Sequence, residues 1–409
     1  MKRRRVLVLA YLFPPLGGAG VQRTLKFVRY LEPLGWDATV VSTRSRHYPV
    51  HDPSLLEEIP KSAHVVRTPA LPLARWLSLV PYRLGLRRAF AYLNWPDGGI
   101  GWMPFALATA LRTVRRDRPD VIYSTSTPQS GHIAALIVSR LTGLPWVADF
   151  RDEWAADAFR ADQPRALARL SARLERELVR HASRVVVAAD YFRLDGLSED
   201  DPRRVVIVNG VDEADLPTGA MPQSHRFVLA HVGTIYGIRD PSPALRALAR
   251  LIQRGLVDEE QVEVRLVGSL WLEGFDAPSS ICVERTGYVG HRRAVEEMFK
   301  ATALLLYVPS SSLAPSGKLF EYLASGRPIL CLTHPDNLAS RLVREWSAGV
   351  VADPHDEEAI EQALLILWQR WQENGLPDQA EVRWKTLERY SRRANALRLA
   401  AVLEAATNA

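Results

Sequence analysis

The chain has 409 residues, of which 47% are hydrophobic and 24% charged, and its formal net charge is +6. This length exceeds one ordinary hydrophobic core, so two domains are expected, and the composition excludes a disordered or fibrous protein. The positive excess is modest and scattered. It suits phosphates, nucleotides or acidic lipid as partners and does not require nucleic acid.

The amino-terminal stretch MKRRRVLVLAYLFPP combines a basic run with an apolar run, as a signal peptide does. The apolar run is short and ends at Pro14-Pro15, and no stretch of the chain reaches the ~20 apolar residues of a membrane span. Cys282 and Cys331 have no metal-binding spacing and suggest a reducing compartment. We expect a cytoplasmic protein, with a peripheral position at the inner face of the membrane left open.

In the first half of the chain, short apolar runs alternate with longer segments of helical period. The predicted strands are 6–10, 37–43, 120–125, 145–150 and 184–189, and the predicted helices are 21–34, 105–116, 130–141 and 165–181. This alternation is typical of a parallel sheet covered by helices on both faces.

The segment 205–225 contains Asn-Gly and two prolines, and it suits an interdomain linker. A second series of predicted strands follows at 226–233, 263–268, 281–285, 303–308, 328–332 and 348–353. The predicted fold class is α/β, with two Rossmann-like domains facing each other across a cleft. The expected boundaries are 1–210 for the first domain, 211–226 for the linker, 227–377 for the second domain, and 378–409 for a C-terminal helix that crosses back to the first domain.

The loop after the first predicted strand is PPLGGAGVQR, residues 14–23. Ligands of open parallel sheets bind beyond the carboxyl ends of the strands, and a helix amino terminus favours an anion such as phosphate. The loop lacks the third glycine of a dinucleotide fingerprint, and no glycine run ends in Gly-Lys-Ser/Thr. Gly17 and Gly18 are therefore candidates for close approach to a phosphate, and a purely structural glycine turn is the alternative.

The second half repeats this design in HVGTIYGIRDPSPALRAL, residues 231–248. Gly233 and Thr234 end a predicted strand, and Asp240-Pro241 opens a helix in the manner of a cap. Arg239 is a candidate clamp for phosphate oxygens, and pairing with a local acid is the alternative.

The stretch PSGKLFEYLASGRPIL, residues 315–330, carries the most specific pattern. A helix is predicted from Ser316–Lys318 up to Gly326. Free backbone N–H groups and Lys318 would converge on a diphosphate leaving group and neutralise its developing charge. Glu321, one turn on, would accept hydrogen bonds from sugar hydroxyls. A solvated amphipathic helix is the alternative.

SGKLFEYLASGRPIL, NGVD, HVGTIYGIRDP and RTGYVGHRRAVEEMFKATALLLYVPS resemble the family-4 retaining glycosyltransferases of the GT-B fold. The resemblance implies that the second domain binds a nucleoside-diphosphate sugar and that Glu321 contacts the ribose. It also implies base contacts at Tyr288 and Val289, and approach of Gly17 and Gly18 to the donor. The predicted donor residues are Gly17, Gly18, Gly233, Thr234, Tyr288, Val289, Ser316, Gly317, Lys318, Leu319 and Glu321.

One position departs from the family pattern. The first glutamate of the family's pair would stand at position 313, where this chain has leucine. The departure leaves the donor sugar open and indicates a subgroup with a Ser-Gly-Lys…Glu donor loop, in which Lys318 takes over the neutralisation of phosphate together with Arg239.

On the first domain, STSTPQSGHIAALIVSRLTGLPWVADFRDEW, residues 124–154, resembles the same subgroup. His132 begins a helix, while Asp149, Arg151 and Asp152 follow the next strand. These four are the candidate acceptor-side residues. Asp152 is preferred as the group that positions an acceptor hydroxyl and helps to take its proton. A packing role is the alternative for His132.

The segment 71–94 has four arginines and no acid, interleaved with aromatic residues and leucines. It fits a helix at an anionic membrane surface, and equally a helix packed on the domain with its arginines in solvent. The first interpretation makes the acceptor a lipid-linked sugar, as in polysaccharide assembly. The second makes it soluble.

The sequence thus predicts a retaining glycosyltransferase with Lys318, Arg239 and Asp152 as catalytic residues, without a metal or other cofactor and without nucleic acid as a partner. Metal independence follows from the cationic groups assigned to the diphosphate and from the lack of a suitably placed Asp-x-Asp motif. A nucleotide-sugar epimerase of the same fold and a non-catalytic membrane-associated scaffold are the alternatives.

Overall fold

The computed structural model describes residues 3–44, 48–71, 92–154, 164–219, 221, 224–237, 240–308, 317–375 and 379–408. The chain divides into two compact units. The first unit comprises Met1–Val208 together with Arg392–Ala409, and the second comprises Asn209–Ser391.

Seven parallel strands form the sheet of the first unit. They are β1 Arg4–Leu9, β2 Trp36–Thr43, β3 His64–Thr68, β4 Val121–Thr125, β5 Trp146–Phe150, β6 Arg184–Val187 and β7 Arg204–Val206. The helices are α1 Ala19–Leu31, α2 Met103–Asp117, α3 Ser130–Thr142 and α4 Arg165–His181, with a 3-10 turn at Pro53–Glu58. The strand order is β3-β2-β1-β4-β5-β6-β7. Every residue of β4 and β5 is buried, which is the pattern of strands covered on both faces.

The predicted strands and helices of this half all occur, within a few residues of the predicted bounds. The prediction missed β3 and β7. Strand β3 lies at the edge of the sheet, and four of its five residues are at least partly exposed, so its sequence HVVRT lacks a long apolar run. Strand β7 has only three residues.

The second unit has a six-stranded parallel sheet. Its strands are β8 Phe227–Val232, β10 Val262–Val267, β12 Val283–Gly287, β13 Ala303–Tyr307, β14 Ile329–Leu332 and β15 Gly349–Ala352. Their order in the sheet is β12-β10-β8-β13-β14-β15. Two short strands, β9 Ile235–Tyr236 and β11 Leu270–Trp271, form a separate pair. The helices are α5 Ser242–Gln253, α6 His291–Lys300, α7 Gly317–Ser325, α8 Leu338–Glu345, α9 Glu357–Asn374 and α10 Ala380–Tyr390, with 3-10 turns at Glu213–Asp215 and Glu259–Gln261. All six strands predicted for this half are present.

The predicted single C-terminal helix is wrong in one respect, because it is two helices. Helix α10 ends at Tyr390, Ser391 is extended with φ −65° and ψ 136°, and α11 Arg392–Thr407 follows. Ser391 forms a β-bridge with Val211, and the carbonyl of Tyr390 accepts a hydrogen bond from the Val211 N–H at 3.0 Å. This carbonyl therefore pairs with Val211, whereas in a continuous helix it would accept from an N–H four residues later. Helix α10 belongs to the second unit, and α11 belongs to the first.

Helix α11 completes the core of the first unit. Ala396, Leu399 and Leu403 are buried in the same apolar cluster as Val21 and Leu25 of α1. None of the helices in the described ranges is long and apolar enough to cross a membrane. Residues 72–91, which hold most of the predicted membrane-surface segment 71–94, lie outside the described residues; Tyr92 and Leu93, which are described, are exposed.

Candidate functional site

Lys318 of the second unit lies directly against Gly233. Lys318 is in the first turn of α7, and Gly233 follows β8. A Cβ atom placed on Gly233 would lie 2.1 Å from both Cε and Nζ of Lys318. Gly233 also has φ +128°, a conformation that side chains disfavour. Glycine is therefore required here on two counts, and the amine of Lys318 is placed at the carboxyl end of the sheet.

His231, near the end of β8, faces the same amine. Its Nδ1 lies 2.9 Å from the carbonyl oxygen of Leu305, which can only accept, so Nδ1 carries a hydrogen. In the neutral ring Nε2 is then an acceptor, and Nζ of Lys318 lies 3.5 Å from it. His231 is buried, so its ring is a fixed partner for the lysine.

Tyr322 fixes α7 to the end of β8. Its buried hydroxyl accepts a hydrogen bond from the Val232 N–H at 2.8 Å and donates to the Val232 carbonyl at 3.3 Å. Burial raises the pKa of Tyr322, so the hydroxyl keeps its proton. Leu319 is a predicted contact of the nucleotide-sugar donor. Its side chain is fully buried in the apolar core, so only its backbone is available for that contact. Lys318 and Glu321 thus project from a helix that is anchored on its other side.

Glu321 belongs to a small acid–base cluster. Nε2 of His291, the first residue of α6, lies 3.1 Å from Oδ2 of Asp215 and 3.9 Å from Oε1 of Glu321. The three side chains are largely buried, with 11–17% of each exposed. Because carboxylates only accept, Nε2 of His291 carries a hydrogen in this arrangement. The predicted ribose-binding carboxylate is thus held beside a histidine.

The other predicted donor residues of this unit lie on neighbouring loops. A Cβ on Gly268, which follows β10, would come within 2.7 Å of the Gly233 carbonyl group, so these two loops touch. Thr234 and Val289 are half-buried, and Tyr288 is 38% exposed. Gly317 has no atom within 4 Å of where a Cβ would be. Three further positions, Arg239, Leu313 and Ser316, lie outside the described residues.

In the first unit, the glycine loop leads into α1 two residues earlier than predicted. The N–H of Gly17 donates to the carbonyl of Val50 at 2.9 Å, and Gly18 has φ +88° and precedes the helix. Nη1 of Arg151 donates to the Gly20 carbonyl at 2.6 Å. Arg151, predicted on the acceptor side, therefore braces the glycine loop.

The carboxylate of Asp149 is used inside the unit. It is fully buried and accepts from Nε and Nη2 of Arg23 at 2.9 and 2.7 Å, from the Tyr123 hydroxyl at 2.6 Å, and from the Thr125 hydroxyl at 3.0 Å. Burial alone would raise the pKa of Asp149, but the paired Arg23 guanidinium and these hydrogen bonds hold it below its ordinary value. Asp149 joins α1, β4 and β5, while its neighbour Asp152 is exposed.

His132 is also buried. The hydroxyl of Ser124 accepts from Nε1 of Trp146 at 2.7 Å and lies 2.7 Å from Nδ1 of His132, so it donates its own hydrogen to that nitrogen. The proton of the neutral ring is then on Nε2, which has no hydrogen-bond partner among the described residues. Burial lowers the pKa of His132 to about 4, so the ring is neutral near pH 7.

Asp97 was not predicted as a functional residue, and it lies at the amino terminus of α3. Its Oδ2 accepts from the Ser130 N–H at 3.0 Å, and Oδ1 accepts from the Ser130 hydroxyl at 2.6 Å. A protein carboxylate thus occupies the anion-favouring end of this helix. His231 and His291 were missed as well. The available signal was their position, since His231 lies near the end of a strand, two residues before Gly233, and His291 opens a helix after Gly290.

Two family models match the chain. The glycosyl transferase 4-like domain matches residues 17–210, and the glycosyl transferases group 1 domain matches residues 226–370. Together the matched ranges cover most of the sequence. A sequence search of curated proteins finds no match.

Several solved structures share the fold over nearly the whole chain. The sucrose-phosphate synthase of Thermosynechococcus elongatus matches with a TM-score of 0.66 and 14% identity, covering 98% of both chains. The Anabaena protein HepE, solved with UDP and glucose, matches with a TM-score of 0.63 and 16% identity over 98% of this chain and 100% of its own. A Rickettsia africae glycosyltransferase matches with a TM-score of 0.63 and 12% identity over 100% of both chains.

These matches confirm the α/β fold class as GT-B, the fold of two parallel-sheet domains. The enzyme class follows from the family models. The chain belongs to the glycosyltransferases that are built from a glycosyl transferase 4-like domain and a group 1 domain.

Proposed function

We propose that this glycosyltransferase moves a sugar from a nucleoside diphosphate to a hydroxyl acceptor with retention of configuration. The observation that carries the proposal is the fixed position of Lys318. Its amine lies against Gly233 and faces Nε2 of His231, at the first turn of a helix that Tyr322 anchors to β8.

The chemistry of the leaving group explains this arrangement. Negative charge grows on the diphosphate as the sugar departs, and a fixed cation beside it lowers the barrier. The N–H groups at the start of α7 favour the same anion. Lys318 is therefore assigned to the diphosphate. Arg239 stays a proposed second cation, on the sequence pattern alone.

Glu321 is assigned to the ribose hydroxyls of the donor. A carboxylate accepts hydrogen bonds from a pair of adjacent hydroxyls, and the His291 ring beside it limits where its oxygens can point. Asp215 in turn holds the ring of His291 at 3.1 Å. Tyr288 and Val289 stay the proposed contacts of the base, and Gly17 and Gly18 stay proposed donor contacts from the resemblance.

Two structures of one neighbour, HepE, support a nucleotide-sugar donor. HepE was solved with UDP and glucose and, separately, with UDP-glucose. A uridine diphosphate sugar is therefore the first donor to test. Because position 313 is leucine where the family has glutamate, several sugars should be compared.

The acceptor side is assigned to Asp152, whose exposed carboxylate is able to meet a hydroxyl, in contrast to the buried Asp149. His132 is assigned to packing and Arg151 to bracing the glycine loop. The basic, aromatic composition of residues 71–94 supports a lipid-linked acceptor at an anionic membrane surface. We propose a cytoplasmic, peripheral enzyme of glycoconjugate assembly on this basis.

Metal independence is part of the proposal, because Lys318 supplies the charge that a divalent ion would otherwise supply. Turnover should therefore persist in excess chelator. Complete loss of turnover that magnesium or manganese restores would contradict this part of the proposal. In the retaining step, the leaving phosphate helps to take the proton of the acceptor hydroxyl on the same face of the sugar.

The first experiment is a thermal-shift screen of nucleoside diphosphates and their sugars, using wild type, Lys318→Ala and the matched control Lys385→Ala. Lys385 is a half-exposed lysine of the same unit that pairs with Glu381. At a hundredfold excess over its Kd, a ligand of the native state adds about 2.7 kcal/mol of stability.

We expect one nucleotide to raise the Tm of wild type and of Lys385→Ala, and the shift to shrink in Lys318→Ala. Lys318→Ala should also lower kcat by about 10²–10³, the cost of losing one preorganised charge-stabilising donor. No shift with any nucleotide, or a fully active Lys318→Ala, would refute the proposed donor site.

A further inference from the structure

A cavity of about 550 Å³ opens at the edge of the first unit's sheet. It lies between edge strand β3 and helix α2. Arg67, Thr68 and Pro69 line one side, and Arg44, which follows β2, lines its upper end. The other side is formed by Thr109, Arg112, Thr113 and Arg116 of α2. These four recur at the i, i+3, i+4, i+7 spacing of one helix face.

The cavity carries concentrated positive charge. Four of the residues that line it are arginines, and none is acidic. Among the described residues, Arg116 is the one of the four arginines with an acidic partner, because its Nε and Nη2 donate to the Asp117 carboxylate at 2.6 and 2.9 Å. The guanidinium groups of Arg44, Arg67 and Arg112 leave a surplus of about three charges in one concave surface.

Arg67 shows that the described residues do not satisfy this charge fully. Its Nη1 is buried and has no hydrogen-bond partner among the described residues. Burial lowers the pKa of Arg67, which marks the cost of keeping this cation out of water. A buried donor without a partner costs free energy that an acceptor from outside would recover.

The backbone around Arg67 is fixed, so the cavity is preformed. Nε of Arg44 donates to the Arg67 carbonyl at 3.0 Å, and the Arg44 N–H donates to the Thr68 carbonyl at 2.8 Å. The Thr68 hydroxyl accepts from Nε1 of Trp102 at 2.7 Å and donates to the Ser42 carbonyl at 3.2 Å. Strand β3 is thereby tied to β2 and to the residue before α2.

We propose that this cavity binds a phosphate-bearing ligand, with the phosphate or diphosphate group held by Arg44, Arg67 and Arg112. Guanidinium groups match phosphate oxygens in paired geometry, and the dianionic charge of a phosphate ester suits three cations better than a single carboxylate would. The volume leaves room for the rest of an ester beside the phosphate. The residues that line this cavity include neither Lys318 nor Glu321, nor the glycines of the loop before α1.

The test uses full-length protein carrying Lys318→Ala, so that binding at the proposed donor site is weakened. Inorganic pyrophosphate is titrated by calorimetry, and vesicles with and without phosphatidic acid are used in a flotation assay. The test variant is Arg67→Gln with Arg112→Gln. The matched control is Arg169→Gln with Arg173→Gln, which removes the same charge from exposed positions of α4.

We expect the test variant to raise the Kd of the probe at least about tenfold, because it removes hydrogen bonds between two guanidinium groups and the phosphate. The control, which removes the same charge elsewhere, should change the Kd less than about twofold. Binding of soluble pyrophosphate identifies a free phosphorylated ligand, and binding of phosphatidic acid vesicles alone identifies a lipid headgroup.

Equal affinity in test variant and control, or no binding of either probe, overturns the proposal. If the double variant does not fold, the single variant Arg112→Gln, which changes an exposed helix residue, is measured instead and should raise the Kd about threefold or more.

Discussion

Replacing Gly233 by alanine tests whether catalysis depends on where Lys318 is held. The added methyl would lie 2.1 Å from Cε and Nζ of Lys318, whereas carbon atoms in contact are about 3.5–4.0 Å apart. The end of the lysine must therefore move by about 1.5 Å. It is the free end of a flexible side chain, so it yields without disturbing the core.

A shift of that size has a large expected effect on rate. Misplacing a catalytic group by about 1 Å costs about 10²-fold, so kcat should fall by about two orders of magnitude. The alanine also adopts φ +128°, which adds about 1–3 kcal/mol of backbone strain. This strain must be separated from the loss of lysine position.

Gly219→Ala is the matched control, because Gly219 has φ +116° and nothing within 4 Å of an added Cβ. Activity is measured as kcat and KM with the donor found by the thermal-shift screen. Gly219→Ala should keep its kcat, and Gly233→Ala should lose almost no further activity in a Lys318→Ala background. A fully active Gly233→Ala, or effects that simply add in the double variant, would refute a role for the lysine's position.

Three further predictions concern the buried polar groups. Asp149→Asn leaves Arg23 charged and buried, so the free energy of unfolding in urea should fall by about 3–5 kcal/mol. The control Asp201→Asn breaks a partly exposed ion pair and should cost at most about 1 kcal/mol. Equal losses in the two variants would contradict this prediction. The pKa of His132 is about 4 in the fold and ordinary in the unfolded chain, so the unfolded state takes up the proton first and stability should drop by about 3 kcal/mol between pH 6.5 and 4. His132→Gln should flatten that slope, and an unchanged slope would assign it to other groups. His231→Leu should lower kcat about tenfold with little change in Tm. His231→Gln, which restores a hydrogen-bond acceptor toward Lys318, should recover part of the lost kcat. Equal activity of the two variants would show that the acceptor is not needed.

The fold could be predicted because its strands are buried on both faces. Runs such as VLVL and LLLY keep an apolar residue at every position, so they stand out without knowledge of the tertiary structure. Strand β3 could not be found in this way. It lies at the edge of the sheet, and most of its residues are at least partly exposed, so it lacks a long apolar run.

The placement of Lys318 and Glu321 on one helix could be predicted because it depends on local spacing, and their roles at the donor stay predictions. Roles that depend on long-range partners were not predictable. Asp149 and Asp152 are three residues apart in the sequence, yet Asp149 is fully buried and Asp152 is exposed. The ion-pair partner of Asp149 is Arg23, which lies on a helix more than a hundred residues earlier. The contacts of His231 with a carbonyl on β13 and a lysine on α7 likewise depend on residues more than seventy positions later.

The network of Arg23, Tyr123 and Asp149 also constrains how the sequence can diverge. Asp149 accepts hydrogen bonds from both Arg23 and Tyr123, and all three side chains are buried, so water cannot replace a missing partner. Loss of Arg23 or Asp149 alone leaves a buried charge without its ion-pair partner, and loss of the Tyr123 hydroxyl removes one hydrogen bond to the carboxylate, whereas joint replacement by apolar residues of similar volume is tolerable. Relatives should therefore keep all three residues or exchange all three. New loops engineered after β4 and β5 should leave Arg23, Tyr123 and Asp149 unchanged as a set.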